Sequence, residues 1–219
     1  MKLTAEQIGY VSNYIQSFDI KWYELQVELT DHFVSIMEEI WNEDPELTFH
    51  QVKYRAEQRF GRNYFKEIEQ ERRKILQKEF NRSQRKMIAE YLKFPKIIMS
   101  ILALFLVYNI SFYFENTDKF ISFLASIFLI LSGFHLAIWL YFRKIGDERF
   151  LSVEMTFRMN NSVLLGWYGF LMIAKESIPT QYRLWIACFL FVLGFLLIIT
   201  GIHITNKVVS NIKKQYQLT

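Results

Sequence analysis

The sequence predicts an all-α protein, with an N-terminal cytoplasmic helical domain followed by a four-helix transmembrane bundle. Two observations lead to this class. Three segments are nearly free of charge and long enough to cross a bilayer, which takes about 20 apolar residues. The first 93 residues instead mix apolar and charged residues with a helical period. The predicted boundaries are 1–92 for the helical domain, 93–206 for the bundle and 207–219 for a basic cytoplasmic tail.

Two short patterns mark helix starts in the N-terminal domain. Thr4 with Gln7, and Thr48 with Gln51, have the spacing of a capping box, in which each side chain bonds the other residue's backbone N–H. They predict the starts of the first and third helices. Gly61 is suited to end the third helix, because glycine readily adopts the left-handed conformation that follows a helix.

The second helix is the most regular segment outside the apolar spans. Its apolar residues recur at intervals of three and four, which places them on one stripe of a helix of about five turns: Trp22, Leu25, Leu29, Phe33, Ile36 and Ile40. A fourth helix follows the third and contains no proline before Pro95, so we expect it to run almost to the membrane.

The stretch "ELQVELTDHF" places acidic residues beside His32 and raises the question of a metal or acid–base site. At 100° per residue, with the stripe centred near Leu29, His32 lies about 60° away, Glu28 about 100° and Asp31 about 160°. Only Glu28 and His32 share a face, whereas zinc needs three or four converging ligands. We therefore predict no metal site and no cofactor, with His32 beside the core and the acids on a solvated face.

Charge is divided between the two halves of the helical domain. Residues 1–46 carry two basic residues against ten acids, and residues 47–96 carry fourteen against six. We favour mutual neutralisation when the helices pack. The alternatives are an acidic face that receives a basic partner and a basic helix that lies on anionic lipid.

Composition argues against cysteine-based chemistry and against nucleic-acid binding. The single cysteine, Cys188, lies in an apolar segment, so an intramolecular disulfide is excluded and a reactive thiolate is disfavoured. The pI near 9.0 is compatible with nucleic-acid binding, but the basic residues largely flank the apolar segments, where orientation and lipid headgroups explain them. No direct contact with nucleic acid is expected.

The N-terminal domain resembles a known module. The pattern "YELQVELTDHF", followed by the capped "LTFHQVKYRAEQRFG", is similar to the small bacterial helical module called HAAS and to permease-prefix modules. The matching residues are Glu28, Leu29, Asp31 and His32 in the first part and Phe49, Ala56, Phe60 and Gly61 in the second. The resemblance covers about residues 20–70. It implies a cytoplasmic regulatory or adaptor module without enzymatic activity, associated with PadR-like transcriptional repressors or with transport proteins.

Four spans are expected, at about 94–114, 120–142, 160–178 and 184–204. Basic residues concentrate before the first span, between the second and third, and after the fourth. Because short cytoplasmic loops carry an excess of Lys and Arg, both termini and the middle loop are predicted to be cytoplasmic. The membrane is expected to be the inner membrane. The N-terminus lacks a basic region followed by an apolar core, so we expect no cleavable signal.

The third span is the least regular of the four. Its uninterrupted apolar run, 163–174, is too short to cross a bilayer by itself, and a re-entrant segment is the alternative. A crossing is favoured because it places both the middle loop and the tail on the basic, cytoplasmic side.

Five polar residues in or beside the spans are candidate intramembrane contacts: Asn109, His135, Asn160, Asn161 and His203. Polar groups are costly in lipid and therefore often functional. For Asn109 and His135 we favour interhelical hydrogen bonds over a substrate site. The two adjacent asparagines either face the bundle interior or lie in the headgroup zone, and the headgroup zone is favoured. His203 lies near the cytoplasmic end and can reach the interface.

The favoured function is that of a non-enzymatic membrane protein whose helical domain is a regulatory or adaptor module. Its expected partners are the lipid bilayer and a cytoplasmic or membrane protein, either a regulator or a transporter subunit. Gly194 and Gly201 offer faces for close packing of spans or for a second copy of the chain. The alternative is a small oligomeric transporter or channel subunit, which the lack of proline-broken spans makes weaker. An enzyme is least expected, since Asp147 and Glu148 have no histidine nearby in sequence.

Overall fold

The described residues form α-helices joined by short connections. A computed structural model describes residues 1–18, 20–60 and 64–217, apart from the side chains at positions 60, 64 and 65. Within those ranges there are eight α-helices and no strand, which confirms the all-α class. The helices are α1 Ala5–Gln16, α2 Tyr23–Glu43, α3 Phe49–Phe60, α4 Tyr64–Tyr91, α5 Lys96–Ser111, α6 Thr117–Phe142, α7 Leu151–Ser177 and α8 Thr180–Gln215.

The chain divides into two compact units. The head unit consists of residues 1–75 together with 144–151, and the bundle unit consists of 76–143 together with 152–219. The boundaries fall within α4 and at the first residue of α7, so both helices belong partly to each unit. The head unit is therefore discontinuous in sequence, because its second segment follows α6.

Both predicted capping boxes are present in the head unit. The Thr4 backbone N–H donates to Gln7 Oε1 at 2.9 Å, and the Gln7 N–H donates to Thr4 Oγ1 at 3.3 Å. The same pair of bonds joins Thr48 and Gln51, at 2.9 and 3.4 Å. These reciprocal bonds satisfy backbone donors that a helix start otherwise leaves unpaired.

The buried face of α2 is rotated slightly from its predicted position. Most of the predicted stripe is buried, but Met37 is fully buried where Ile36 was expected and Ile36 is only half-buried. Thr30 is buried as well, so the face is displaced toward these two residues. The displacement moves His32 farther from the core, and its side chain is exposed. The prediction that His32 lies beside the core is therefore wrong.

Ion pairs join the acidic end of α2 to the basic helix α3. Arg59 lies 3.6 Å from Glu39 and 3.5 Å from Glu43, and Arg55 lies 3.4 Å from Asp44. All five side chains are largely exposed, so each pair is worth at most about 1 kcal/mol. The contacts agree with mutual neutralisation for this part of the domain.

Tyr14 of α1 contacts two charged residues of α3. Lys53 Nζ lies 3.9 Å from the centroid of the Tyr14 ring and pairs with Glu57 at 2.5 Å. Burial of the phenol raises the pKa of Tyr14 above its ordinary value, and its hydrogen bond to the Glu57 carboxylate raises it further. The folded protein therefore holds this proton more tightly than the unfolded chain does.

The bundle unit has one apolar core. Its buried residues come from α5, α6, α7 and α8: Val107, Phe120, Ile121, Leu124, Ala125, Phe128, Leu164, Leu171, Ala187, Cys188, Val192 and Ile198. The rings of Tyr108 on α5 and Trp185 on α8 stack with centroids 4.4 Å apart. The last part of α4 joins this unit, where Gln84 Nε2 donates to the carbonyl of Leu197 at 3.0 Å. Helix α8 thus contacts both α4 and α5.

Two helices are long and apolar enough to cross a membrane. They are α6 and α8, whose mean hydropathies over their most apolar 18-residue windows are 2.2 and 2.6. The pair formed by α4 and α5 is a third candidate if it counts as one broken span, bent by 83°. Among the described residues α7 is not a candidate, in keeping with its short apolar run. These helices indicate a membrane protein with two or three candidate spans.

Two glycines of α8 allow neighbouring helices to approach closely. A Cβ at Gly194 would lie 2.8 Å from Cζ of Phe128 and 3.1 Å from Cδ2 of Trp167. A Cβ at Gly201 would overlap Oδ1 of Asn160 and lie 2.8 Å from its Cγ. Close packing of spans, one of the two roles expected for these glycines, is therefore observed.

Gly201→Ala is expected to lower the thermal unfolding midpoint of the full chain in detergent. The overpacking cost of about 2 kcal/mol should exceed the gain in helix propensity of about 1 kcal/mol. Gly169→Ala is the matched control, because a Cβ there meets nothing within 4 Å. In an Asn160→Ala background the Gly201→Ala penalty should disappear. Equal effects at the two glycines would contradict the close approach.

Tyr14→Phe is expected to reduce the loss of stability at alkaline pH. As the pH rises above about 10, the unfolded chain loses the Tyr14 proton while the folded chain keeps it, so wild-type stability declines. The variant lacks this contribution, so its stability should fall less steeply between about pH 9 and about pH 11. Chemical denaturation followed by circular dichroism measures this slope, with the exposed Tyr54→Phe as control. Parallel curves for Tyr14→Phe and wild type would refute the interpretation.

Candidate functional site

A groove in the head unit lies between α2 and α4. It has a volume of about 370 Å³ and is lined by Glu28, Leu29, His32, Ile68, Glu71, Arg72 and Ile75. Glu28 and His32 are one helical turn apart, so α2 presents both side chains to the groove. On α4, the other four residues follow the same helical spacing and form the opposite wall.

The groove combines an apolar surface with charged groups. Leu29, Ile68 and Ile75 supply the apolar area, and of these only Leu29 is fully buried. The carboxylates of Glu28 and Glu71 are exposed. Nε of Arg72 is buried and makes no hydrogen bond within the described part of the chain. Such a mixed surface is suited to a partner that is partly apolar and partly charged.

The structure separates the other head residues that the sequence selected. Asp31 is exposed and does not line the groove. Phe49 is half-buried, and its ring centroid lies 5.7 Å from that of Tyr10 and 6.4 Å from that of Trp41. It therefore contributes to packing between α1, α2 and α3. Gly61 and the side chain of Phe60 lie outside the described residues.

No metal-binding group is found within the described residues. No set of three or more His, Cys, Asp or Glu side chains there converges closely enough to hold an ion. Glu28, His32 and Glu71 share the groove without forming such a set. The groove is interpreted as a binding surface because it combines exposed carboxylates with apolar side chains.

The segment 144–151 forms a small hairpin that belongs to the head unit. The backbone N–H of Ile145 donates to the Glu148 carbonyl at 2.9 Å, and the Glu148 N–H donates to the Ile145 carbonyl at 3.2 Å. Gly146 and Asp147 have φ values of 59° and 67°, as in the two-residue turn that requires positive φ at both central positions. Glycine adopts this conformation without strain.

The hairpin packs on the start of α2. The guanidinium of Arg149 lies 4.9 Å from the ring centroid of Trp22, and that of Arg73 on α4 lies 5.4 Å from it. The Tyr23 N–H donates to the Arg149 carbonyl at 2.9 Å. The rings of Tyr23 and Phe150 are in contact, with centroids 5.8 Å apart. The hairpin thus takes part in the core of the head unit.

Sequence reasoning missed this hairpin and noted only its charges. Two features of the sequence could have indicated it: apolar residues in the connection and a turn dipeptide between them. Ile145, Phe150 and Leu151 are apolar residues in an otherwise polar connection, and all three are buried. The dipeptide Gly146–Asp147 between them is typical of a tight hairpin turn.

Two of the five candidate polar residues make interhelical hydrogen bonds in the bundle unit. Nε2 of His135 on α6 lies 3.3 Å from the Phe157 carbonyl on α7, an interhelical contact of the kind predicted for His135. The Ser132 hydroxyl on α6 donates to Oδ1 of Asn161 on α7 at 2.8 Å. Both bonds join the same pair of helices.

The remaining three candidates behave differently from one another. Nδ2 of Asn109 donates to the Phe105 carbonyl of its own helix at 2.7 Å, so the interhelical bond predicted for it is replaced by a local one. Asn160 is fully buried against Gly201, and its amide makes no hydrogen bond within the described residues. Asn160 therefore faces the bundle interior, which is the alternative to the headgroup position favoured for it. His203 is exposed.

Comparison of the chain with protein-family models, with curated proteins and with solved structures gave no match. Its function must therefore be inferred from its own residues.

Trp22→Ala is expected to destabilise the protein by about 3–5 kcal/mol, because the indole is almost fully buried. Loss of the ring should also release the hairpin, so trypsin should cleave after Arg149 faster than in the wild type. Chemical denaturation and timed proteolysis of the full chain measure the two effects.

Tyr54→Ala is the control for Trp22→Ala, since it removes an aromatic residue of the same unit that is 62 % exposed. Unchanged cleavage after Arg149 in Trp22→Ala would show that the hairpin does not depend on the indole.

Proposed function

We propose that this chain is a non-enzymatic membrane protein whose head unit is a regulatory or adaptor module. The protein lies in the inner membrane, and its head and both chain termini are cytoplasmic. The head binds a protein partner, either a regulator or a transporter subunit. The observation that carries this proposal is the hairpin 144–151. Because it connects α6 to α7 and also completes the core of the head unit, an event that alters the head acts on a connection between two bundle helices.

We further propose four membrane crossings, one each by α5, α6, α7 and α8. Helix α7 has 27 residues and is about 40 Å long at 1.5 Å per residue, which exceeds the hydrocarbon thickness of about 30 Å. Helix α5 has 16 residues and reaches about 24 Å, so it needs the flanking residues to cross. With four crossings, the basic segments before α5, between α6 and α7, and after α8 would lie on one side, which the positive-inside tendency favours.

The head groove is the proposed binding surface for the partner. Glu28 and Glu71 provide two exposed carboxylates beside the apolar side chains of Leu29, Ile68 and Ile75. A helix with basic residues next to an apolar stripe complements both features. The resemblance of residues 20–70 to HAAS and permease-prefix modules supports the same role.

Site-specific photo-crosslinking in native membranes tests this proposal. A photoreactive residue at Ile75, in the groove, should form an adduct with one other protein, and the same residue at the exposed Gln70 should not. Charge reversal by Glu28→Lys with Glu71→Lys should reduce the adduct at least tenfold, because an attractive contact becomes repulsive. Mass spectrometry identifies the crosslinked protein.

Glu46→Lys provides the matched control, because it reverses one exposed charge of the head away from the groove. Equal adducts at Ile75 and Gln70, or no loss on charge reversal at Glu28 and Glu71, would overturn the proposed binding surface.

A second candidate function is a small oligomeric transporter or channel subunit. One observation favours it: a cavity of about 310 Å³ in the bundle unit is lined by His135 and Asn161, with Glu154 and Arg158 also in its wall. Polar groups in such a cavity are the usual material of a solute pathway. In the crosslinking experiment, adducts formed only with a second copy of the chain would favour this function over the adaptor.

A further inference from the structure

A second groove lies in the bundle unit where α6, α7 and α8 meet. Its volume is about 570 Å³. One side is apolar and includes Ile138 and Phe142 from α6, Phe157 from α7 and Val209 from α8. Three helices thus form a surface that suits a hydrocarbon chain, and none of its lining residues is acidic.

The other side of the groove is polar and basic. Asn206, Ser210, Lys213 and Lys214 line it from α8, and their spacing places them on one face of that helix. Neither ammonium group has an ion-pair partner among residues 1–18, 20–60 and 64–217. The groove therefore presents positive charge and hydrogen-bond donors next to an apolar wall.

The position of the groove along α8 matches the edge of a bilayer. Helix α8 has 36 residues and is about 54 Å long at 1.5 Å per residue, so it extends beyond a hydrocarbon core of about 30 Å. Arg183 and Lys207 bound its charge-free segment, and the groove residues of α8 begin at Thr205, near the end of that segment. On α6, the aromatic residues Trp139, Tyr141 and Phe142 lie at the same end, as expected for a headgroup interface.

We propose that this groove binds one anionic phospholipid. The phosphate of the headgroup contacts Lys213 and Lys214, with Ser210 and Asn206 as hydrogen-bond donors, and one acyl chain lies along Phe142, Ile138 and Val209. A basic pocket between membrane helices on the cytoplasmic side is the recognised arrangement for anionic headgroups. This inference uses the membrane location of α6 and α8 and does not depend on the role proposed for the head.

Native mass spectrometry of the full chain in detergent tests the site. Phosphatidylglycerol is titrated into wild type and into Lys213→Ala with Lys214→Ala, and phosphatidylcholine serves as the neutral lipid. Wild type should retain one phosphatidylglycerol molecule in preference to phosphatidylcholine. Since each lysine near an anionic surface contributes a factor of about five, the double variant should bind it about 25-fold more weakly.

Two further variants distinguish a built site from general attraction between charges. Lys78→Ala with Lys86→Ala removes the same charge from exposed positions of α4 in the same unit, and should leave retention unchanged. Ser210→Glu places a carboxylate in the groove at an exposed position, and should abolish retention without disturbing the core.

The following results would overturn the proposal. Equal losses in the two double-lysine variants would indicate non-specific attraction. Equal retention of phosphatidylcholine would show that the headgroup charge is not recognised. Displacement of the lipid by glycerol phosphate at an equal concentration would identify a site for a soluble phosphate ester, because the acyl chain would then contribute nothing.

Discussion

The head unit depends on the burial of Trp22 beneath two guanidinium groups and an inserted hairpin. The indole is 4 % exposed, and it meets residues from the start of α2, from α4 and from segment 144–151. A guanidinium over the face of an indole is attracted to the ring, and its side chain also shields the ring from water. One side chain therefore holds together parts of the chain that are more than a hundred residues apart.

In the bundle unit, helix α8 is the element that joins the other helices. Gly194 and Gly201 let the side chains of other helices approach its backbone, and the Leu197 carbonyl accepts a hydrogen bond from Gln84. Thr200 and Thr205 donate to carbonyls of α8 itself. In this helix, then, polar side chains satisfy the local backbone, whereas the contacts with neighbours depend mainly on small residues and apolar packing. That division is expected where interhelical hydrogen bonds contribute little net stability.

The parts of this fold that sequence could predict are those that depend on neighbouring residues. Capping boxes at Thr4 and Thr48 involve partners three positions away, and the stripe of α2 needs only the helical period. The burial of Met37 in place of Ile36 could not be predicted, because it depends on which residues pack against α2. The groove pairs Glu28 and His32 with α4, and that pairing also required the tertiary structure. The hairpin was missed because its apolar residues have their partners far away in sequence.

The discontinuity of the head unit has a consequence for synthesis of the chain. A ribosome releases residues 1–75 well before it reaches 144–151, and α5 and α6 emerge in between. Until then the apolar surface around Trp22 and Tyr23 lacks Phe150, and the head unit lacks the buried residues Ile145 and Leu151. Completion of the head unit is thereby ordered after synthesis of α5 and α6. A fragment that ends before residue 144 exposes that apolar surface permanently, so it is a poor substitute for the intact chain in binding studies.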